Sequence, residues 1–402
     1  MRVFQPADIL IPRETDLEKW AVIACDQFSS EPAYWEETRR IVGDAPSALR
    51  LILPEAELGR RDADRIGAAH AAMEEYLKSG LFREYKNAFV YVERRFADGS
   101  VRQGVLGMVD LEAYDFAPDA KTPVRATEET VAERIPPRMR LRQGAALELP
   151  HALLLCDDPD DLLIGLLGRQ KAAFPKLYDF ELMQGGGHVS GWLLEGVVLR
   201  KLRERLDAYA AGREFCYAVG DGNHSLATAK ACWEQLKREH PDEDLSGHPA
   251  RWALAELENL HGPGQRWEPI HRLVTGCDAE ALLGFLRERL EEGEGSALPC
   301  LSGGREQILH IRTGNGQLPA AKLQAALDAW LQNHSGSIDY IHGAGALRAL
   351  SATEDAVGFL LPAMEKEELF PAIAAGGVLP RKTFSMGAAR EKRYYLEARK
   401  IR

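Results

Sequence analysis

Residues 215–230 read Phe215-Cys216-Tyr217-Ala218-Val219-Gly220-Asp221-Gly222-Asn223-His224-Ser225-Leu226-Ala227-Thr228-Ala229-Lys230. The stretch begins as a short apolar run, passes a Gly-Asp-Gly turn, and continues with apolar residues at helical spacing, so it predicts a strand, a tight turn and a helix. A helix that starts at this polar turn would present unpaired backbone N–H groups and the positive end of its dipole. Such a turn is a natural site for an anion, and phosphate is a common one.

The composition limits the class of protein. A chain of 402 residues is too long for one typical core, so we expect more than one domain. The net charge of -11 argues against broad nucleic-acid binding, which needs a basic surface. The six cysteines stand singly, without a CxxC pair, which disfavours a zinc ribbon or a thioredoxin-like site.

The N-terminal residues lack the continuous apolar segment of a signal peptide. No apolar run approaches the roughly 20 residues that a membrane-spanning helix needs. Single cysteines within apolar runs are typical of reduced core residues. We therefore expect a cytoplasmic protein that does not insert into a membrane.

Several elements follow from local patterns. The apolar run 20–24 predicts a short buried strand, which places Asp26 at its C-terminal end, where ligands collect in α/β proteins. The alternative is that Asp26 is a turn or capping residue. Residues 49–53 predict another strand, and 88–109 predict a β-hairpin around an Asp-Gly turn.

Arginines are concentrated in residues 125–142 of this acidic chain. Arg138, Arg140 and Arg142 lack acidic sequence neighbours, and arginine is the side chain best suited to hold phosphate through paired hydrogen bonds. The alternative, a solvated loop with internal Arg–Glu pairs, is strongest for 125–134. Near the C-terminus, Arg381 and Lys382 form a second basic segment.

A Gly/Ser-rich joint near 293–304 suggests a domain boundary. We expect a main α/β unit over 1–275, which carries the Asp-Gly-Asn-His motif, and a smaller α/β region over 276–402, which contributes the basic segment. The fold class is therefore α/β, with mixed α+β character.

The run Asp221-Gly222-Asn223-His224-Ser225 resembles the bacterial family known as domain of unknown function 1015 (DUF1015), whose members commonly carry Asp-Gly-His-His-Arg after a strand. The resemblance extends over nearly the whole chain, including 20–27, 49–54, 125–142, 268–272 and 379–385. This chain keeps the second histidine, but it has Asn223 in place of the first and Ser225 in place of the arginine. The family's His-Glu pair ahead of a threonine has its counterpart in Thr127-Glu128.

The same segment is similar to the phosphate motif of the ParB/sulfiredoxin superfamily, which contains partition proteins, sulfiredoxins and free-serine kinases. The resemblance implies a ParB/sulfiredoxin-like nucleotide-binding core with additional α/β domains. In the kinases, the Asp and His of the motif serve phosphoryl transfer, and a carboxylate at the end of an early strand acts as the base. Carried over to this chain, these roles fall to Asp221, His224 and Asp26.

The implied function is that of a kinase that transfers phosphate from ATP or ADP to a small hydroxyl metabolite, with free L-serine as the specific expectation. Glu128 or Asp221 would hold Mg²⁺, which prefers one or two carboxylates plus phosphate oxygens. The expected catalytic residues are Asp26, Glu128, Asp221 and His224. The expected phosphate-binding residues are Gly220, Gly222, Asn223, Ser225, Arg138, Arg140, Arg142, Arg381 and Lys382.

Two other functions fit the residues. The altered motif allows a nucleotide-binding regulatory protein without transfer chemistry. His151, His188, His224 and His271 near apparent strand ends allow a metal-dependent hydrolase. DNA binding is disfavoured, because no helix-turn-helix or basic face is evident. The oligomeric state stays open.

Overall fold

The computed structural model of the chain describes residues 2–58, 62–150, 152–290, 295–313, 318–380 and 382–402. The chain divides into two compact units. The first unit comprises Met1–Ala126, Thr130–Gln265 and Ala388–Arg402, and the second comprises Thr127–Glu129 and Arg266–Gly387. The domain boundary that we predict after residue 275 stays a prediction. Within the described residues, no helix is both long and apolar enough to cross a membrane.

Strands and helices are interspersed along the chain. The strands are β1 (Phe4–Gln5), β2 (Ala7–Pro12), β3 (Val22–Ile23), β4 (Phe82–Arg95), β5 (Val101–Asp110), β6 (Tyr114–Asp115), β7 (Val124–Ala126), β8 (Leu147–Glu148), β9 (Ala152–Cys156), β10 (Lys176–Leu182), β11 (Gly187–Leu194), β12 (Tyr217–Asp221), β13 (Trp252–Asn259), β14 (Trp267–Thr275), β15 (Ser296–Ser302), β16 (Arg305–Ile311), β17 (Ser337–His342), β18 (Ala356–Phe359), β19 (Phe384–Met386), β20 (Tyr394–Tyr395) and β21 (Arg399–Lys400). The helices are α1 (Leu17–Trp20), α2 (Pro32–Val42), α3 (Asp62–Lys78), α4 (Ile135–Arg142), α5 (Gly165–Gln170), α6 (Gly196–Ala210), α7 (Asn223–Glu239), α8 (Ala279–Leu290), α9 (Pro319–Leu331), α10 (Ala344–Leu350) and α11 (Leu369–Gly376).

The first unit is built on a large mixed sheet with the strand order β10-β11-β4-β5-β13-β9-β12-β7-β6. Strand β12 runs parallel to β7 and antiparallel to β9. Apolar residues at helical spacing along α7, among them Leu226, Ala229 and Trp233, are buried in the core on this sheet. The predicted strand, turn and helix of the central motif are thereby confirmed.

The C-terminal residues complete the first unit. Strand β20 pairs with β3, and β21 pairs with β8. The backbone N–H of Ala24 donates to the carbonyl of Arg393 at 2.8 Å, and the indole of Trp20 donates to the carbonyl of Leu396 at 2.7 Å. This pairing places residues near 392 beside the end of β3.

The second unit contains a smaller sheet with the order β16-β15-β18-β14-β17, to which β19 adds by pairing with β14. Helices α8 and α9 bury Leu286, Leu323 and Leu327 against this sheet. The presence of both strands and helices in each unit confirms the mixed α/β class.

Two predicted strands need correction. Residues 49–53 form no strand, because a 3₁₀ turn spans Ala48–Leu51, where the Ser47 hydroxyl accepts the backbone N–H of Leu49. The strand predicted over 20–24 is shorter, since Trp20 ends α1 and only Val22–Ile23 pair. Short apolar runs do not distinguish these alternatives. The hairpin of β4 and β5 is confirmed, with Gly99 at a φ of +86° in its turn.

Candidate functional site

The turn between β12 and α7 has the geometry of an anion site. Gly222 adopts a φ of +77°, a left-handed conformation that a residue with a Cβ adopts only at a cost. No described side chain caps the N-terminus of α7. The amide of Asn223 instead donates to the carbonyl of Val219 at 3.3 Å. Helix N-terminal N–H groups without a side-chain cap attract anions, as the sequence predicts.

His224 lies in the first turn of α7. Its Nε2 accepts the backbone N–H of Val131 at 3.1 Å. Accepting this bond requires a lone pair on Nε2, so the ring is in the tautomer with its proton on Nδ1. Any contact of the imidazole with a ligand through a donated proton would therefore use Nδ1.

Asp221 is the last residue of β12, and the two oxygens of its carboxylate differ: one forms an ion pair, and the other lacks a hydrogen bond. Oδ1 lies 3.7 Å from Nζ of Lys392, and both side chains are largely buried. Oδ2 is buried and accepts no hydrogen bond from any described residue. The hydroxyl of Thr130, one residue before the backbone partner of His224, is likewise buried without a described partner. Unsatisfied buried oxygens are costly, so these atoms call for a ligand, an ion or water.

Asp26 follows β3 and lies in a partly exposed turn. Its Oδ1 accepts the amide of Gln27 at 2.9 Å. The neighbouring thiol of Cys25 accepts the hydroxyl of Tyr395 at 3.2 Å. Burial raises the pKa of Cys25 to about 11, and the negative charge of Asp26 adds to this effect. Cys25 is therefore a neutral thiol.

The arginines of α4 differ from one another. Arg138 pairs with Glu55, and Arg142 pairs with Glu148 at 2.6 Å. Arg140 is exposed and makes no ion pair with a described residue. The sequence shows no acidic neighbour for any of them, yet chain folding supplies one for two of the three. An anion that binds Arg138 or Arg142 has to compete with these carboxylates.

A cavity of about 130 Å³ lies within the first unit beside α4 and α7. Its apolar lining includes Leu51, Ile52, Leu53, Met73, Leu141 and Leu147. Its polar lining comprises Cys25, Glu55, Arg138, Arg142, Glu148, Ser225, Thr228 and Tyr395. Ser225, which stands where the resembling family has arginine, thus leaves space at the start of α7.

Other predicted residues belong to the second unit. Glu128 pairs through its backbone with Leu379, and the carbonyl of Lys382 accepts a guanidinium N–H of Arg272 at 2.9 Å. Burial lowers the pKa of the fully enclosed Arg272, and the charge of Glu128 is among those that oppose this effect. The structure therefore brings Glu128 and Lys382 together around Arg272. Arg381 lies outside the described residues.

The expected magnesium site can be tested against the side chains. Among the described residues, no three His, Cys, Asp or Glu side chains gather as a metal-binding group. Mg²⁺ often needs only one or two carboxylates, because it keeps several waters and binds phosphate oxygens. The unsatisfied Oδ2 of Asp221 fits such a ligand.

Sequence reasoning missed Lys392, Glu55 and Tyr395. Each reaches the site by a contact distant in sequence: Lys392 with Asp221, Glu55 with Arg138, and Tyr395 with Cys25. No local motif marks these residues. Only the pairing of β20 with β3 and the docking of 55–57 next to α4 reveal them.

Comparison with solved structures gives distant similarities. The chain is similar to SbnI with a C-terminal truncation from Staphylococcus aureus, with a TM-score of 0.37, 12% identity, and coverage of 70% of this chain and 82% of that one. A free serine kinase in complex with AMP gives a TM-score of 0.37 and 13% identity over 73% of this chain and 90% of the other. A conserved hypothetical protein from Pyrococcus furiosus gives a TM-score of 0.34 and 14% identity over 72% of this chain and 90% of the other.

Among curated proteins, none matches this sequence. A family profile does match it, over residues 6–400, with the description "Protein of unknown function (DUF1015)". The match spans the β12–α7 turn, α4, the basic segment near 382 and the C-terminal strands that carry Lys392. The chain therefore belongs to the DUF1015 family.

Proposed function

We propose that this protein is a nucleotide-dependent phosphotransferase that acts on a small hydroxyl metabolite, with free L-serine as the first acceptor to test. The observation that carries the proposal is the carboxylate of Asp221, which has one unsatisfied buried oxygen and lies beside Lys392 at the start of the uncapped helix α7. Phosphoryl transfer depends mainly on the positioning and neutralisation of charge, and this turn supplies groups for both.

In this proposal, the N-terminus of α7 and the ammonium of Lys392 bind the phosphates of ATP or ADP. Asp26 accepts the proton of the acceptor hydroxyl, whose oxygen forms a new bond to the terminal phosphorus. The bond from that phosphorus to the bridging oxygen breaks, and ADP or AMP leaves with the electron pair. Asp221 would hold Mg²⁺, which supplies further neutralisation of phosphate charge when bound.

His224 has a positioning role in the proposal. Its Nε2 is held by the backbone N–H of Val131, so the ring links α7 to the segment that precedes α4. The N–H at Nδ1 is the donor that would hydrogen-bond to a phosphate oxygen or to the acceptor. Glu128 stays a predicted catalytic and metal-binding residue of the second unit.

The test is an assay of purified protein with ATP or ADP, Mg²⁺ and a panel of hydroxyl metabolites that includes L-serine. Phosphorus NMR and mass spectrometry would identify a phosphorylated product and the matching loss of the donor. The Asp26→Asn variant should lose the product while it keeps nucleotide binding. The absence of any phosphorylated product across the panel, under conditions in which nucleotide binds, would refute the transfer reaction.

A second candidate is a nucleotide-binding regulatory protein without transfer chemistry. The observation that favours it is the combination of Ser225 at the motif arginine position with Arg138 and Arg142 already paired to carboxylates. This function predicts that nucleotide raises the melting temperature without being consumed. It also predicts that Asp26→Asn changes neither effect.

A further inference from the structure

The cavity beside α4 and α7 has a two-part lining. Apolar residues, among them Leu53, Leu141 and Leu147, make up one part, and residues with charged and hydroxyl groups make up the other. Its volume of about 130 Å³ is close to the roughly 150 Å³ of an apolar cavity that holds a benzene molecule. An apolar group the size of one six-membered ring would therefore fill it.

Two arginine–glutamate ion pairs line the cavity. Arg142 and Arg399 both pair with Glu148, at 2.6 and 2.8 Å, whereas Arg138 pairs with Glu55. Two guanidinium groups and two carboxylates therefore line the cavity itself, and Arg399 pairs with Glu148 from outside this lining. Burial raises the pKa of Glu148, but the two arginines outweigh this and lower it, so this carboxylate stays charged.

The two carboxylates are held differently. Glu148 is buried and also accepts the backbone N–H of Leu254 at 2.8 Å, so it is fixed within the core. Glu55 lies on a short 3₁₀ turn at the edge of the cavity, and its side chain contacts Arg138 alone among the described ion-pair partners. Glu55 can therefore leave Arg138 at a lower cost than Glu148 can leave its partners.

We propose that this cavity binds a ring-sized apolar group whose anionic substituent takes the place of Glu55 on Arg138. The carboxylate of Glu55 occupies the position of the ligand's anion until the ligand arrives. Ser225 also lines the cavity, and in this proposal its hydroxyl donates a further hydrogen bond to the anion. The ring belongs either to a nucleobase or to an acceptor that carries an apolar group, and both present the same chemistry to the cavity.

This inference rests on the proposed function, since Ser225 and Arg138 belong to the predicted phosphate-binding residues. Different results would nevertheless refute the cavity proposal and the transfer reaction. Transfer to serine without binding of a ring-bearing anion overturns the cavity proposal alone, whereas binding of such an anion without any transfer overturns the reaction alone.

The probe is phenyl phosphate, which joins a six-membered ring to an anion, and inorganic phosphate is the comparison. Isothermal titration calorimetry should give tighter binding of phenyl phosphate than of inorganic phosphate to the full chain. Glu55→Gln should tighten phenyl phosphate by about five- to tenfold, because it removes a competing ion pair. The matched control is Glu57→Gln on the same turn, which pairs with Arg65 and should leave the affinity unchanged.

Substitutions that fill the cavity test whether it binds the ring of the ligand. Leu141→Trp should weaken phenyl phosphate by about tenfold or more and leave inorganic phosphate unchanged, and Leu53→Phe serves the same purpose if the first variant does not fold. Leu162→Trp, at a leucine that is 51% exposed, is the control. A matching loss of AMP affinity would identify the ring as a nucleobase, and an unchanged AMP affinity would assign it to the acceptor. Equal binding of phenyl phosphate and inorganic phosphate, or no gain from Glu55→Gln, would overturn the proposal.

Discussion

Oδ1 of Asp221 lies 3.7 Å from Nζ of Lys392, although the two residues come from distant parts of the chain. This contact joins the end of the central strand β12 to the C-terminal segment of the first unit. It places a cation at the turn where helix α7 begins without a side-chain cap.

Removal of the Asp221 charge should abolish transfer without unfolding the protein. Asp221→Asn leaves shape and volume nearly unchanged, and Oδ2 makes no hydrogen bond that would be lost. We expect the rate of phosphoryl transfer to fall by roughly 10²–10³-fold, as for the loss of one positioned electrostatic group. Asp207→Asn, at an exposed pair with Arg2, is the control for both rate and melting temperature. An unchanged rate in Asp221→Asn would exclude this carboxylate from the reaction.

Lys392 should contribute to nucleotide affinity. Lys392→Gln removes a largely buried ammonium next to the predicted phosphate site, and we expect the dissociation constant of ATP or ADP to rise by about tenfold. Lys392→Arg should keep most of the affinity because it keeps the charge. The control is Lys400→Gln, at an exposed lysine that pairs with Glu84 at 3.0 Å. Equal affinities in Lys392→Gln and Lys400→Gln would contradict the assignment.

Gly222 should couple backbone geometry to anion binding. Its φ of +77° makes Gly222→Ala cost about 1–2 kcal/mol of folding free energy. Gly212, which has a φ of +74° and open space where a Cβ would lie, should show a similar cost when changed to alanine. Chemical denaturation measures both costs. Only Gly222→Ala should also weaken nucleotide binding, and a similar loss in Gly212→Ala would show that the effect is not local.

Glu258 should make the stability fall as the pH rises. The side chain is fully buried beside Arg102, at 3.0 Å, and burial raises its pKa from the usual 4.5 to about 7. The folded state therefore holds the proton more tightly than the unfolded state. The resulting stabilisation is complete below pH 4.5 and is lost by about pH 7. Glu258→Gln should remove this decline in denaturation midpoints, whereas Glu84→Gln at the surface should keep it.

Glu148 should make the stability fall as the pH falls, which is the opposite of the effect of Glu258. Burial raises its pKa, but Arg142 and Arg399 outweigh that effect and lower it below the usual value. The stabilisation is present above the unfolded-state pKa and is lost as the pH falls through the folded-state pKa. Glu148→Gln should cost about 3–5 kcal/mol at pH 7, since it leaves the guanidinium groups of Arg142 and Arg399 without their carboxylate. It should also make the protein less sensitive to acid, and an unaltered acid transition would contradict this.

Local patterns predict the parts of the fold that depend on local interactions. The β12–α7 turn follows from the spacing of Leu226 and Trp233 and from the glycine at 222, and the β4–β5 hairpin follows from its Asp-Gly turn. The predicted strand over 49–53 is wrong because a single hydroxyl, that of Ser47, decides between a strand and a 3₁₀ turn. The pattern of hydrophobic residues does not show whether a side-chain hydrogen bond of this kind will replace the backbone hydrogen bonds of a strand.

The site is predictable only in part. Asp221 and the anion-binding helix start are consequences of one continuous motif, and so the sequence shows them. Lys392, Glu55 and Tyr395 arrive through strand pairing and ion pairs between distant segments. Their contributions depend on tertiary packing, and the local spacing of residues along the chain does not predict such contacts.

The segment 388–402, which pairs with β3 and β8, has a consequence for biosynthesis. A ribosome makes the second unit's residues 266–387 before it makes this segment, so the first unit is completed only after the second has been synthesised. Until then, Trp20 lacks the carbonyl of Leu396, and Asp221 lacks Lys392. A chain released before residue 388 would therefore carry the β12–α7 turn without Lys392, and its Trp20 indole would lack the carbonyl of Leu396.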